Sequence, residues 1–285
     1  MNTNQSDIAE SGLHVDVGAT LRGKLPKKYL RFIPGAAVRW LERTICQDEL
    51  NGILDRTRGK KGAEFCRAVL TDLDITYSVA GENNLPVDGR AIFVSNHPLG
   101  ALDGIAMIDF IARHYRTGVK FVVNDILMAV KPLDNVFLPI NKHGKQSRKS
   151  SSDIDECLAG DTPVIIFPAG LVSRKQKEGI KDLQWQKMFI NKAIQSQRDI
   201  IPVHFGGKNS SFFYNFAKLR TRLGLKFNIE MIYLPREIFR SRGARFEISV
   251  GKPISWHTLK GGTKAAQEAS LIKETVYSLN RKNAF

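Results

Sequence analysis

The sequence predicts an α/β fold, a mostly parallel central sheet flanked by helices with an N-terminal helical region. Two observations carry this. Short runs rich in β-branched and aromatic residues recur at 90–95 (RAIFVS), 119–123 (VKFVV), 136–140 (VFLPI), 163–167 (PVIIF), 200–205 (IIPVHF) and 245–250 (RFEISV). Stretches with helical spacing separate several of them, notably 101–116, 148–160 and 183–198, and such alternation is what a helix-wrapped parallel sheet requires. The 285 residues, 42% of them hydrophobic, suffice for a sizeable core.

Taken in order, the polar first twenty residues read as a disordered tail. Residues 21–70 read as an N-terminal helical region. Within it Leu30, Ile33, Ala37, Trp40 and Leu41 recur at helical spacing among Arg31, Arg39 and Arg43. Two readings fit this segment: a helix packed on the core with solvated arginines, or one lying in an anionic membrane interface. The same pair of readings applies where Phe212, Phe213, Tyr214 and Phe216 precede Lys218, Arg220, Arg222 and Lys226. A last helix is expected at 263–282, after the Gly261-Gly262 break.

The net charge of +15 points to anionic partners. These include an anionic membrane surface, an acidic carrier protein or nucleic acid, but no nucleic-acid motif is evident. Cys46, Cys66 and Cys157 are widely spaced, which disfavours a disulfide framework or a cysteine zinc site and suits a reducing cytosol. His14, His114, His143, His204 and His257 have no metal-ligand spacing, so no metal is expected. Secretory-signal features are absent from the start. The longest apolar runs, such as 164–172, fall short of the roughly 18–20 residues that cross a bilayer. Any membrane association is therefore expected to be peripheral.

Chemistry concentrates in residues 95–104, SNHPLGALDG. The ordinary pKa of histidine, about 6.5, makes His97 a usable proton acceptor, and a carboxylate on its other ring nitrogen would fix the tautomer. On one regular helix His97 and Asp103 would point roughly 240° apart. Pro98 and Gly100 break that regularity, so His97 can sit in a strand-to-helix turn with Asp103 curling back from the first helical turn. The structural alternative makes Asn96 or Asp103 a helix-start residue and His97 an ordinary turn residue.

Together with segments farther along the chain, this stretch resembles the first signature of the glycerolipid acyltransferases of the lysophosphatidic-acid acyltransferase type. Here five residues separate His97 from Asp103, one more than that family usually has. The form NHPLGALDG is similar to a hemolysin-like branch that includes enzymes acylating lyso forms of ornithine and glycine lipids. Phe167, Pro168, Gly170 and Ser173 match four of the seven positions of the third signature. Its glutamate is replaced by Ala169, and its arginine is displaced to Arg174. Residues 137–141, ending at Asn141 and succeeded by Lys142, Lys145 and Arg148, resemble the second signature. Ile201-Pro202-Val203 resembles the fourth. The closing 250–254 and the 47–51 region are also similar.

The resemblance implies an acyltransferase domain at 71–285, with His97 as general base and Asp103 as its orienting partner. It implies substrate contacts from Asn96, Gly100, Asn141, Lys142, Phe167, Pro168, Gly170, Ser173 and Arg174. The expected donor is an acyl thioester on acyl carrier protein or CoA, with no further cofactor. The expected acceptor is a lysolipid, an ornithine or glycine lipid ahead of lysophosphatidic acid, at the cytoplasmic face of a bacterial inner membrane. No G-x-S-x-G nucleophile elbow is present, in keeping with direct transfer.

Overall fold

A computed structural model describes residues 14–24, 26, 33–140, 145–225 and 227–282. At its centre is a sheet of seven strands: β1 (Thr76–Ala80), β2 (Ala91–Ser95), β3 (Lys120–Asn124), β4 (Phe137–Ile140), β5 (Val164–Ile166), β8 (Asp199–Phe205) and β9 (Arg245–Val250). A separate antiparallel hairpin joins β6 (Arg174–Gln176) to β7 (Gly179–Lys181). The strand order is β1-β9-β8-β2-β5-β3-β4. Pairing is parallel from β8 to β4, whereas β9 runs antiparallel to β8 and parallel to β1.

All six expected strand segments belong to this sheet. β2 is buried at every position, as a strand covered on both faces should be. Alternate side chains enter opposite layers. Phe93 packs with Phe65 and Val69 of α4 (Gly62–Asp72) and with Ala106 and Met107 of α5 (Ala101–His114). Ile92 and Val94 join Ile154 and Leu158 of α6 (Lys145–Ala159), Phe189 and Ile190 of α7 (Met188–Ser196), and Ala269 and Ile272 of α10 (Ala265–Lys282).

Asp109 locks α5 in place. Its fully buried carboxylate accepts from Tyr77 Oη of β1 at 2.6 Å and from Arg67 Nε of α4 at 3.0 Å, and Arg113 pairs with it at 2.8 Å. The start of α5, which carries Asp103, is thereby held against the sheet.

Among the described residues, three further helices occupy the N-terminal part, α1 (Val17–Lys24), α2 (Gly35–Thr44) and α3 (Gln47–Arg56). The boundary drawn at residue 20 falls inside α1. The N–H groups of Val15 and Val17 donate to the side chains of Asn51 and Gln47, so residues just ahead of that boundary are tied to α3. Residues 1–13 of the expected tail, with Leu30 and Arg31, lie outside the described residues. Only Thr44 of α2 is buried, and Trp40 is 54% exposed. The helix expected at 183–198 begins at Met188, because the preceding residues instead pair with the 168–173 segment. None of the described helices is long and apolar enough to cross a membrane.

Candidate active site

β2 ends at Ser95 and the chain turns before α5. Asn96 reaches sideways from this turn: its Nδ2 donates to Phe205 O at 2.9 Å, and its Oδ1 accepts from Phe205 N–H at 2.7 Å. The two bonds mimic a ladder step and fasten the turn to the end of β8. Asn96 is 3% exposed, and its side-chain amide is engaged by the Phe205 backbone.

His97 comes next. Its Nδ1 lies 3.0 Å from Asp103 Oδ1 and 3.1 Å from Oδ2, and its ring stacks on Phe167 at 4.4 Å. Between His97 and Asp103 the chain passes through Gly100, whose φ of 86° and ψ of −111° suit glycine. A Cβ there would meet Leu234 at 3.1 Å. Asp103 itself is fully buried. Its Oδ2 accepts from Leu99 N–H at 2.8 Å and Gly100 N–H at 3.3 Å, and its Oδ1 accepts from Gly104 N–H at 2.8 Å. The carboxylate thus closes the helix start, as a residue at this position often does, and holds the imidazole at the same time. The capping and catalytic readings of Asp103 describe one arrangement.

Burial pulls the His97 pKa down, but the charge and hydrogen bond of Asp103, aided by the charge of Asp182, outweigh it and leave the pKa above its ordinary value. Nδ1 is engaged by the carboxylate, so the proton-accepting position is Nε2. The side chain is 17% exposed. An imidazole that is reachable, oriented and more basic than usual has the properties of a general base.

The second turn at the site runs from Phe167 to Arg174. Gly170, at φ 62°, closes it with an N–H bond to Phe167 O of 3.0 Å. Pro168 O accepts from Gln186 N–H at 2.9 Å. Ser173 bonds His97 O twice, from its N–H at 2.7 Å and its Oγ at 3.2 Å. The same Oγ lies 2.5 Å from Asp182 Oδ1. Asp182 belongs to none of the motifs legible in the sequence. Fully buried, it accepts from His97 N–H at 3.1 Å and, through Oδ2, from Trp185 Nε1 at 2.8 Å. Burial still pushes its carboxyl above the usual range despite these donors.

Arg174 also differs from expectation. Its guanidinium turns inward, donating to Val172 O at 2.7 Å and to Glu230 Oε1 at 2.7 Å. Glu230 is fully buried and pairs with Arg220 as well, at 2.8 Å. A buried charge must be paired, and this arginine is so paired within the protein. Burial lowers its pKa, with Glu230 opposing. Ser173 and Arg174 therefore hold the turn through bonds within the protein. Asn141 and Lys142 lie outside the described residues.

A cavity of about 450 Å³ borders the turn on the α10 side, lined by Asn96, Pro98, Ser173, His204, Phe205 and Tyr277 among others. His204 is 7% exposed, and burial lowers its pKa to about 4, which keeps it neutral.

Residues 20–284 match the sequence profile described as "Acyltransferase". The chain belongs to the acyltransferase family. Two curated relatives are both named lyso-glycine lipid O-acyltransferase. The protein of Bacteroides thetaiotaomicron is 45% identical over 265 residues, which is 93% of this chain and 97% of the relative. That of Phocaeicola vulgatus is 43% identical over 265 residues, 93% of this chain and 95% of the relative. A solved structure, the 1-acyl-sn-glycerophosphate (LPA) acyltransferase PlsC from Thermotoga maritima, aligns with a TM-score of 0.48 and 15% identity, covering 86% of this chain and 96% of that one. This acyltransferase is built on an α/β sheet, with its oriented histidine at the carboxyl end of β2.

Proposed function

We propose that the chain moves a fatty acyl group from an acyl thioester, on acyl carrier protein or CoA, to the hydroxyl of a lyso-amino-acid lipid, the lyso-glycine lipid in first place. The observation that carries this reading is the His97–Asp103 pair, with Nδ1 engaged at 3.0 Å and the ring partly open, in a chain 45% identical to a lyso-glycine lipid O-acyltransferase.

His97 Nε2 removes the hydroxyl proton as the lipid oxygen bonds to the thioester carbonyl carbon. The imidazolium is stabilised by Asp103. The tetrahedral oxyanion collapses, the carbon–sulfur bond breaks, and the proton on Nε2 passes to the departing thiolate. Ester and free thiol are the products. Oxyanion donors come from backbone amides. Those of Leu99, Gly100 and Gly104 bond Asp103 and that of Gly170 bonds Phe167 O. Ala169 and Leu171 are therefore the candidates in the 168–171 turn. The inward turn of Arg174 supports an acceptor other than a phosphate monoester, because this cation already has a buried carboxylate. The surplus of +15 suits both an acidic carrier protein and the anionic cytoplasmic face of an inner membrane.

The test supplies lyso-glycine lipid, lyso-ornithine lipid and lysophosphatidic acid separately, with labelled acyl carrier protein and acyl-CoA thioesters, and identifies products by mass spectrometry. Acylated glycine lipid as the main product is expected. Phosphatidic acid alone, or free fatty acid as the main product, would overturn the reading.

A further inference from the structure

Helix α8 (Ser211–Arg222) buries Phe213, Tyr214 and Ala217, the first two of which pack on Val172 beside the site. Its other side is apolar as well. Phe212, Leu219 and Leu223, just beyond the helix, are 47%, 52% and 65% exposed. At about 100° per residue, positions 212, 216, 219 and 223 fall within roughly 60° of one another. Phe212 stacks on Phe216 at 5.8 Å, and both rings lean on Tyr233. The apolar run continues into Leu225, Phe227 and Ile229, at 47%, 84% and 39% exposed. So much exposed apolar surface in one stretch marks an interaction surface rather than ordinary exterior. Lys218 and Arg222 on the same helix, and Arg236 on α9 (Leu234–Arg240), are exposed too.

The face is wired to the catalytic turns. Just ahead of α8, Asn209 Nδ2 donates to Pro98 O at 3.2 Å. Behind its far end, Glu230 joins Arg220 of the helix to Arg174 of the second turn.

We infer that α8 and the exposed apolar residues Leu223, Leu225, Phe227 and Ile229 form the surface with which the protein docks on an anionic bilayer, apolar side chains entering the headgroup–acyl boundary and the cations meeting anionic headgroups. The occupant is a lipid surface because the apolar stripe and the cations lie together on one element beside the site. The inference deepens the lysolipid reading and rests on it for the source of the acceptor.

Sedimentation of the full chain with vesicles of phosphatidylcholine, with and without phosphatidylglycerol, tests it. The wild type should bind the anionic vesicles more tightly, with an affinity that falls as salt rises. The variant L219E/L223E/F227E should bind them at least about tenfold more weakly, while acylating a dispersed short-chain lysolipid at the wild-type rate. K218Q/R222Q should lose about fivefold per residue on anionic vesicles and little on neutral ones. H97A should dock like the wild type while losing acyl transfer, and a wild-type protein that docks on the vesicles but acylates no lysolipid would count against the proposed function alone. Wild-type vesicle affinity in the triple variant would overturn the inference. So would loss of its activity on dispersed substrate, or loss of carrier-protein binding or self-association in place of vesicle binding.

Discussion

The two turns that meet at His97 are held in opposite ways. The 96–104 turn is fastened to its surroundings through Asn96, His97 and Pro98, but its helix end closes on itself: Asp103 takes the imidazole and the N–H groups of Leu99, Gly100 and Gly104. The 167–174 turn depends on distant partners, Asp182 behind Ser173, Gln186 on Pro168 and Glu230 on Arg174. On the proposed mechanism one turn carries the reacting group and its tautomer, and the other fixes where that group stands. Damage to the first should therefore appear in the chemistry, and damage to the second in stability and alignment.

The largest effect expected is that of His97→Ala, which should lower kcat by about 10²–10⁴ with the melting temperature little changed. A folded H97A protein that transfers acyl groups near the wild-type rate would end the general-base assignment. Next comes Asp103→Asn, which should lower kcat by about 10² or more. It should also move the pH profile. Neutral His97 is the active form, so kcat/KM rises with pH through its pKa, which Asp103 holds above the ordinary value. Without that negative charge the acid limb should shift to lower pH, and an unmoved limb in D103N would argue that another group titrates there.

The smaller effect sharpens the contrast. Asp182→Ala strands two donors, from His97 and Trp185, and leaves Ser173 Oγ with its longer bond to His97 O, and should destabilise the fold by about 3 kcal/mol or more, read by denaturant unfolding. Asp182→Asn should be milder, because it keeps an acceptor oxygen and removes a charge that burial already disfavours. The acid limb should move less in D182N than in D103N. The reverse ranking would show that the two turns do not divide the work in this way.

Much of the sheet was legible in the sequence because a strand covered on both faces must be apolar throughout. AIFVS of β2 and VII of β5 show this plainly. β1 was not legible: its Thr76–Ala80 run is an edge strand with no fully buried position, so it lacks the apolar run. The β6–β7 hairpin is largely polar and exposed, and Arg174 and Lys175 read as solvated charges in isolation. His97 and Asp103 were legible because proline and glycine between them removed the regular helix that would have parted them. Asp182 and Glu230 were not. They act across 85 and 56 residues of intervening chain, and no local period connects an acid to partners that the fold alone brings near.

Gly100 gives the first signature an elastic length. With five residues between them, one a glycine at positive φ, the carboxylate still arrives at the ring. What defines this motif is where its acid ends, and a search keyed to one rigid interval would pass over chains like this one.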